Sequence, residues 1–214
     1  MASPSSISLC ELPLFPLPEV VLFPKRPLPL HIFEPRYRLM INTVLETDRR
    51  FGVLLWNPSS TRSVRVGCSA AITEVVRLAD GRMNIMTEGK QRFRVIEFLN
   101  DKPYLVGKVE WFDDEPPDGA VELLGRQVGD LLRDVVSLST KLSGRQVVLP
   151  DDLPEDAVNL SYWVASLFFA SASERQDLLE MRSTASRLSH ERVVLSSLLS
   201  ELAARVAIEE AFGR

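Results

Sequence analysis

Between residues 12 and 37 the chain reads LPLFPLPEVVLFPKRPLPLHIFEPRY, seven prolines set among large apolar side chains. Pro13, Pro16, Pro18, Pro24, Pro27, Pro29 and Pro35 each lack an amide donor and fix φ. Such a run is excluded from a helix and from a central strand. It is equally unsuited to a solvated linker, because Phe15, Leu22, Phe23, Leu28, Leu30, Ile32 and Phe33 are residues that disordered arms lack. The expectation is a series of short extended segments, bent at the prolines and laid against a core.

The next stretch changes period. Residues 35–46 carry proline at the first turn, then Tyr37, Met40, Ile41, Val44 and Leu45 on one face, which predicts a helix. Residues 51–56 are continuously apolar and read as a strand buried on both faces, with an exposed loop at 57–60. Asp80-Gly81 suits a two-residue hairpin turn. Pairing Ala79 with Arg82 places Leu78, Val76, Ile72, Met83 and Ile85 on the buried face, and Arg77, Thr73, Arg82, Asn84 and Glu88 on the other, with Val75 and Met86 as apolar exceptions there. Gly67 and Gly89 interrupt strand patterns and read as bulges or bends. A further strand follows with Leu105, Val109 and Trp111. Together these elements predict a small, curled, closed or nearly closed β-barrel with one helix, over residues 9–115.

Residues 113–119, DDEPPDG, are acidic and free of apolar side chains, and 116–119 is expected to be the linker. The remainder, 120–214, has helical periodicity and is expected to form a bundle. Val121, Leu124, Val128, Leu131, Leu132 and Val135 describe one helix, ending at Ser143-Gly144. Capping-box spacing occurs at Asp152/Glu155 and at Ser173/Gln176, and a last helix starts near Thr184 with Leu188, Leu195, Leu199 and Val206 in its stripe. The fold class expected is therefore α+β: barrel, then helices. Residues 1–8 read as a disordered tail without the features of a secretory signal.

Composition narrows the function classes. The 214 residues carry a net charge of −4, which disfavours general nucleic-acid or anionic-membrane binding. The acidity lies in the helical part, where 10 basic residues face 15 acidic ones after Glu115. Two cysteines, Cys10 and Cys68, do not make a disulfide framework, so a reducing cytoplasm is the expected location. No apolar run reaches membrane-spanning length. The chain has no G-x-x-x-x-G-K-[ST] phosphate loop, since Gly89-Lys90 precedes Gln91 and follows no suitably placed glycine. Ser139 and Lys141 are neighbours on a helix end and not a catalytic dyad. Cys10, Cys68 and His31 lack zinc-ligand spacing, so no metal or other cofactor is expected.

The segments Pro13 to Leu17, Val20 to Pro24 and Leu28 to Tyr37, followed by Asp80-Gly81-Arg82, Glu88-Gly89 and Arg92-Phe93-Arg94, closely resemble the N-terminal, substrate-binding domain of the Lon proteases. The resemblance runs more loosely through the helical part. It implies a PUA-like barrel and a recognition module standing alone, without the ATPase and proteolytic parts. It further implies non-catalytic binding of unfolded or damaged proteins, in association with a protease or chaperone. Phe33, Glu34, Arg36 and Tyr37 lie in and beside the Glu-Pro-Arg-Tyr motif at the helix start and are the candidate substrate-binding residues, with no catalytic residue among them.

Two other readings stand beside this one. His31 lies near Glu34, and a His–Glu acid–base pair competes with a histidine satisfied within the sheet. Lys90, Arg92 and Arg94 alternate onto one strand face, and the barrel class implied by the resemblance includes RNA-binding modules, so an RNA-binding PUA-like protein is the alternative. Interleaved Glu88, Glu97 and Asp101 favour an ordinary solvated face instead.

Overall fold

The computed structural model describes residues 9–56, 64–99, 101–117, 119–144, 149, 153–169 and 171–212. The expected tail at 1–8, the expected loop at 57–60 and Asp152 lie outside the described residues. The architecture is mixed α+β. Strands β1 (Leu9–Pro18) and β2 (Pro27–Ile32) precede helix α1 (Pro35–Leu45), and β3 (Arg50–Trp56), β4 (Val66–Arg77), β5 (Met83–Leu99) and β6 (Val106–Phe112) follow. The strand order is β2-β5-β4-β3-β1-β6, and β5 also pairs with β6. The pairings therefore run in a circuit through β5, β4, β3, β1 and β6. The length of β5 allows this: its first part pairs with β4 and its last part, from Arg92 on, with β6.

The proline-rich run enters the sheet more deeply than its sequence suggests. β1 lies between β3 and β6 in the strand order, but it never pairs with both at one residue. Residues 9–13 run antiparallel to β6, and residues 14–18 run parallel to β3. Each half thus needs donors on one side only, which is how Pro13, Pro16 and Pro18 are tolerated. β2, with Pro27 and Pro29, is an edge strand paired to β5 alone.

The hairpin register differs from expectation by one residue. The amide of Leu78 donates to the Arg82 carbonyl (2.8 Å) and that of Gly81 to the Leu78 carbonyl (2.9 Å), so the loop is the three-residue Ala79-Asp80-Gly81. Gly81 holds a φ of 81°, the left-handed position that closes such a loop. Arg77 consequently pairs with Met83 and Val76 with Asn84. Met83 and Ile85 point inward as the pattern requires, but Val76 turns outward and is 56% exposed. Val75 packs on the core in its place. A register shift between Ile72 and Glu74 then returns Ile72 to the buried side.

Gly67 and Gly89 flank a register shift between β4 and β5, where Cys68 pairs with Arg92 and Ala70 with Gly89, and both also serve close approach. A Cβ at Gly67 would stand 2.3 Å from the Val53 carbonyl oxygen, and one at Gly89 2.0 Å from that of Phe23. α1 lays Tyr37, Met40, Ile41 and Val44 on a core with Phe15, Ile32, Phe51, Val53 and Ile85, as its stripe predicts. β3 is buried from Phe51 to Leu55, but Trp56 emerges from it.

Among the described residues four helices follow: α2 (Ala120–Ser143), α3 (Ala157–Phe168), α4 (Ala172–Glu180) and α5 (Thr184–Phe212). Gly144, with φ 61°, caps α2 at the expected break. The N-terminal caps fall elsewhere than the spacing indicated. Asp156 accepts the Asn159 amide (2.9 Å), and Ser171, not Ser173, accepts that of Glu174 (3.2 Å). Gln176 is buried and donates to the Val66 carbonyl (3.0 Å).

The chain divides into two compact units, and the division cuts through the expected helical domain. Residues up to Asp113 group with 169–180, and residues 114–168 with 181–214. α4 therefore belongs with the strands. Arg92 accounts for this: only 2% exposed, it donates to the Leu179 carbonyl (2.9 Å) and lies 4.6 Å over the Phe112 ring. Leu178 and Leu179 are buried beside it, each contributing about 1.5–3 kcal/mol.

In the second unit, Arg187 is fully buried. Its Nη2 donates to Asp114 Oδ2 (2.6 Å), its Nε to Ser161 Oγ (2.7 Å) and its Nη1 to the Met181 carbonyl (3.2 Å), and it stacks 4.1 Å over Tyr162. One turn further along α5, Glu191 is buried with neither carboxyl oxygen hydrogen-bonded among the described residues. Burial raises its pKa well above the usual carboxylate range, against the pull of Arg187.

Two predictions follow from this packing. Ile85→Asp buries a charge and destabilises the first unit by more than about 3 kcal/mol, whereas Val76→Asp is tolerated. Denaturant titration of both variants checks this, since equal damage from both would restore the two-residue-turn register. For Glu191, a raised folded-state pKa means that its contribution to stability is fully present below the unfolded value, about 4.3, and declines as pH rises toward the folded value. Glu191→Gln should therefore melt higher than the parent at pH 7, by a margin on the order of 1–3 kcal/mol that shrinks toward pH 4. A constant margin across that window would contradict the assignment.

Candidate functional site

A groove of about 770 Å³ opens in the first unit. The second half of β1, from Phe15 to Pro18, forms one side, and the end of β2 with Leu30 and His31 forms another. The turn into α1 contributes Phe33, Glu34, Arg36 and Tyr37, so the structure brings all four candidate residues to a single surface. Trp56 at the end of β3 and the segment 102–105 complete the lining.

The floor is aromatic. Tyr37 is buried against Phe15, with ring centroids 4.2 Å apart, and burial raises its phenol pKa further above 10. At the rim, Phe33 is 59% and Trp56 55% exposed, large apolar faces left to solvent. Proline at the first turn of α1 fixes the chain entry, so residues 33–36 are presented from a rigid helix start. Arg36 Nε donates to Glu34 Oε2 (2.9 Å), and its guanidinium lies 4.6 Å over the Tyr37 ring. On the far side, Lys102 Nζ stands 5.9 Å from the Tyr104 ring. A shallower apolar hollow of about 390 Å³, with Val76 and Met86, continues from Leu30 and His31 across β5 and β4.

The other candidate groups are not assembled into a reactive centre. His31 Nδ1 is hydrogen-bonded to Asn84 Oδ1 (2.6 Å), and Glu34 to Arg36, so no His–Glu pair forms. Cys68 is fully buried, and desolvation pushes its thiol up to about 12, which leaves it unreactive. Among the described residues no group of three His, Cys, Asp or Glu side chains is placed to hold a metal ion. The basic strand face is broken as well. Lys90 is paired with Glu88 (2.8 Å), and Arg92 is covered by α4, leaving Arg94 exposed.

The sequence reading omitted Trp56, Lys102 and Tyr104 from the site. Trp56 carried a usable signal, since a tryptophan ending an apolar strand before Asn57-Pro58 is poorly placed for a core. Lys102 and Tyr104 carried none, because only the strand pairing of β5 with β6 returns their connecting segment to β1.

Residues 11–197 match the family model of the ATP-dependent protease La (LON) substrate-binding domain. The chain is 29% identical over 205 residues to Lon protease 2 of Herpetosiphon aurantiacus, covering 92% of this chain and 25% of that protein. It is 29% identical over 182 residues to the Lon protease of Cytophaga hutchinsonii, covering 79% and 22% respectively. It thus spans about a quarter of the length of these curated relatives. Among solved structures it is similar to the Lon N-terminal domain protein from Xanthomonas campestris, with a TM-score of 0.61 and 26% identity over 85% of this chain and 96% of that one. The N-terminal domain of the Mycobacterium avium complex Lon protease shares the fold, with a TM-score of 0.67 at 16% identity, over 87% of this chain and 98% of that one.

Proposed function

The chain belongs to the LON substrate-binding domain family, and we propose that its groove captures exposed apolar segments of unfolded or damaged proteins, without catalysis, as an adaptor to a protease or chaperone. One observation carries this reading: an apolar groove of about 770 Å³ with Phe33 and Trp56 held open to solvent at its rim. Soluble proteins rarely leave such side chains together unless something docks on them. Phe33, Glu34, Arg36 and Tyr37 are the proposed contact residues. Aromatic and arginine anchors of this kind dominate recognition surfaces. The circuit of strand pairings supports a closed, PUA-like barrel as the platform. Two free cysteines accord with a cytoplasmic setting. The RNA-binding alternative is disfavoured by the burial of Arg92 and the pairing of Lys90.

Affinity for a single segment is weak on this view, because a flexible client loses ordering entropy on binding. Arg36→Glu reverses a groove charge at an exposed position and should weaken binding of an unfolded, casein-like client by about tenfold, or 1.4 kcal/mol, with the melting temperature unchanged. Fluorescence anisotropy with labelled client reads the effect. Unaltered binding, or a variant that unfolds, would move the client surface elsewhere. The purified chain should also neither hydrolyse ATP nor cleave casein, and ATP turnover that co-purifies with the chain and disappears on its mutation would refute the non-catalytic reading.

A further inference from the structure

The groove is apolar along its floor but not neutral at its rim. Two cations, Arg36 and Lys102, face one carboxylate, Glu34, and that carboxylate is already engaged through Arg36 Nε. The two terminal amino groups of Arg36 have no partner among the described residues. The Glu34 bond and the stacking on Tyr37 orient the guanidinium of this half-exposed side chain, with its outer fork left for a ligand. Lys102 similarly makes no ion pair among the described residues and is placed by its contact with the Tyr104 ring. An oriented fork beside aromatic faces is a geometry that accepts a carboxylate in two parallel hydrogen bonds.

We infer that the groove selects extended segments in which an aspartate or glutamate side chain lies next to bulky apolar residues, the carboxylate seated on Arg36 and Lys102 and the apolar residues against Phe33 and Trp56. This rests on the groove being a docking site for apolar segments at all, and it adds a chemical preference to that reading. A free chain end is the other source of a carboxylate. It is captured by clustered backbone amides, and the groove-lining Pro16 and Pro18 have none to offer.

The test uses the full chain and short fluorescein-labelled peptides of alternating Phe and Thr. They are amidated at the C-terminus and differ only in a central Glu or Gln. The Glu peptide should bind about fivefold more tightly, the upper range for an exposed ion pair, and added salt should shrink that ratio. Arg36→Gln and Lys102→Gln should each bring the ratio toward one without lowering the melting temperature. Arg133→Gln, an exposed cation of the second unit, should leave it unchanged. Equal binding of the two peptides, or a ratio that survives both groove substitutions, overturns the carboxylate preference while leaving apolar docking intact. Binding of neither peptide removes both. A Gln peptide with a free C-terminal carboxylate that recovers the full gain would show that chain ends are read, and would overturn the assignment to acidic side chains.

Discussion

Missing amide donors govern the first unit, because a strand that carries prolines can join a sheet only where no hydrogen bond is owed. β1 meets this by changing partner at Leu14, and the parity of its prolines shows how. The Leu14 amide donates to the Leu105 carbonyl (2.8 Å), away from β3. Backbone groups alternate sides along a strand, so the nitrogens of Pro16 and Pro18 lie on that same side, where β1 has no strand partner. Phe15 and Leu17, which do carry amides, face β3. The groove opens on the side that the prolines leave unpaired. The groove is thus where the sheet stops for lack of donors.

Two buried arginines organise the rest by a different interaction. Arg92 reaches from β5 to a carbonyl of α4, and Arg187 joins Asp114, Ser161 and Met181 within the helical unit. A buried guanidinium is tolerated only when most of its donors are satisfied. Each therefore needs partners distant in sequence, and each finds them within its own compact unit. Glu191, one turn beyond Arg187, has neither carboxyl oxygen hydrogen-bonded among the described residues.

What could be read from sequence was whatever depended on local period or on the backbone limits of single residues. The α1 stripe, the end of α2 at Gly144 and the inward side chains of β5 all fall into this class. The hairpin register failed because Asp80-Gly81 suits both a two-residue and a three-residue loop, and only the Leu78–Arg82 pairing distinguishes them. The helix caps failed for a related reason: Ser171 and Ser173 both precede a plausible first turn, and burial of Gln176 against Val66 decides between them. Arg92 read as one of three exposed bases because nothing local to β5 announces α4, nearly ninety residues later. Of the site, the helix-start residues were legible through their motif. The opposite side, Lys102 and Tyr104, was not, since it depends on the β5–β6 pairing.

Open apolar surface and an unpaired strand edge are together an invitation to self-association, yet this groove has both. The residues that build it also limit the hazard. A neighbouring chain adds to a sheet by exchanging amides and carbonyls along the whole edge, and Pro16 and Pro18 withhold the amides on β1, as Pro27 and Pro29 thin them on β2. A visiting segment can donate to carbonyls and pack its side chains on Phe33 and Trp56, but it cannot continue the ladder. Contact then depends on side chains and stays reversible, whereas a full β-ladder would be long-lived and would accept a second copy of the same strand. On the proposed reading, the density of proline between residues 12 and 37 serves brief contact with apolar segments as well as the fold.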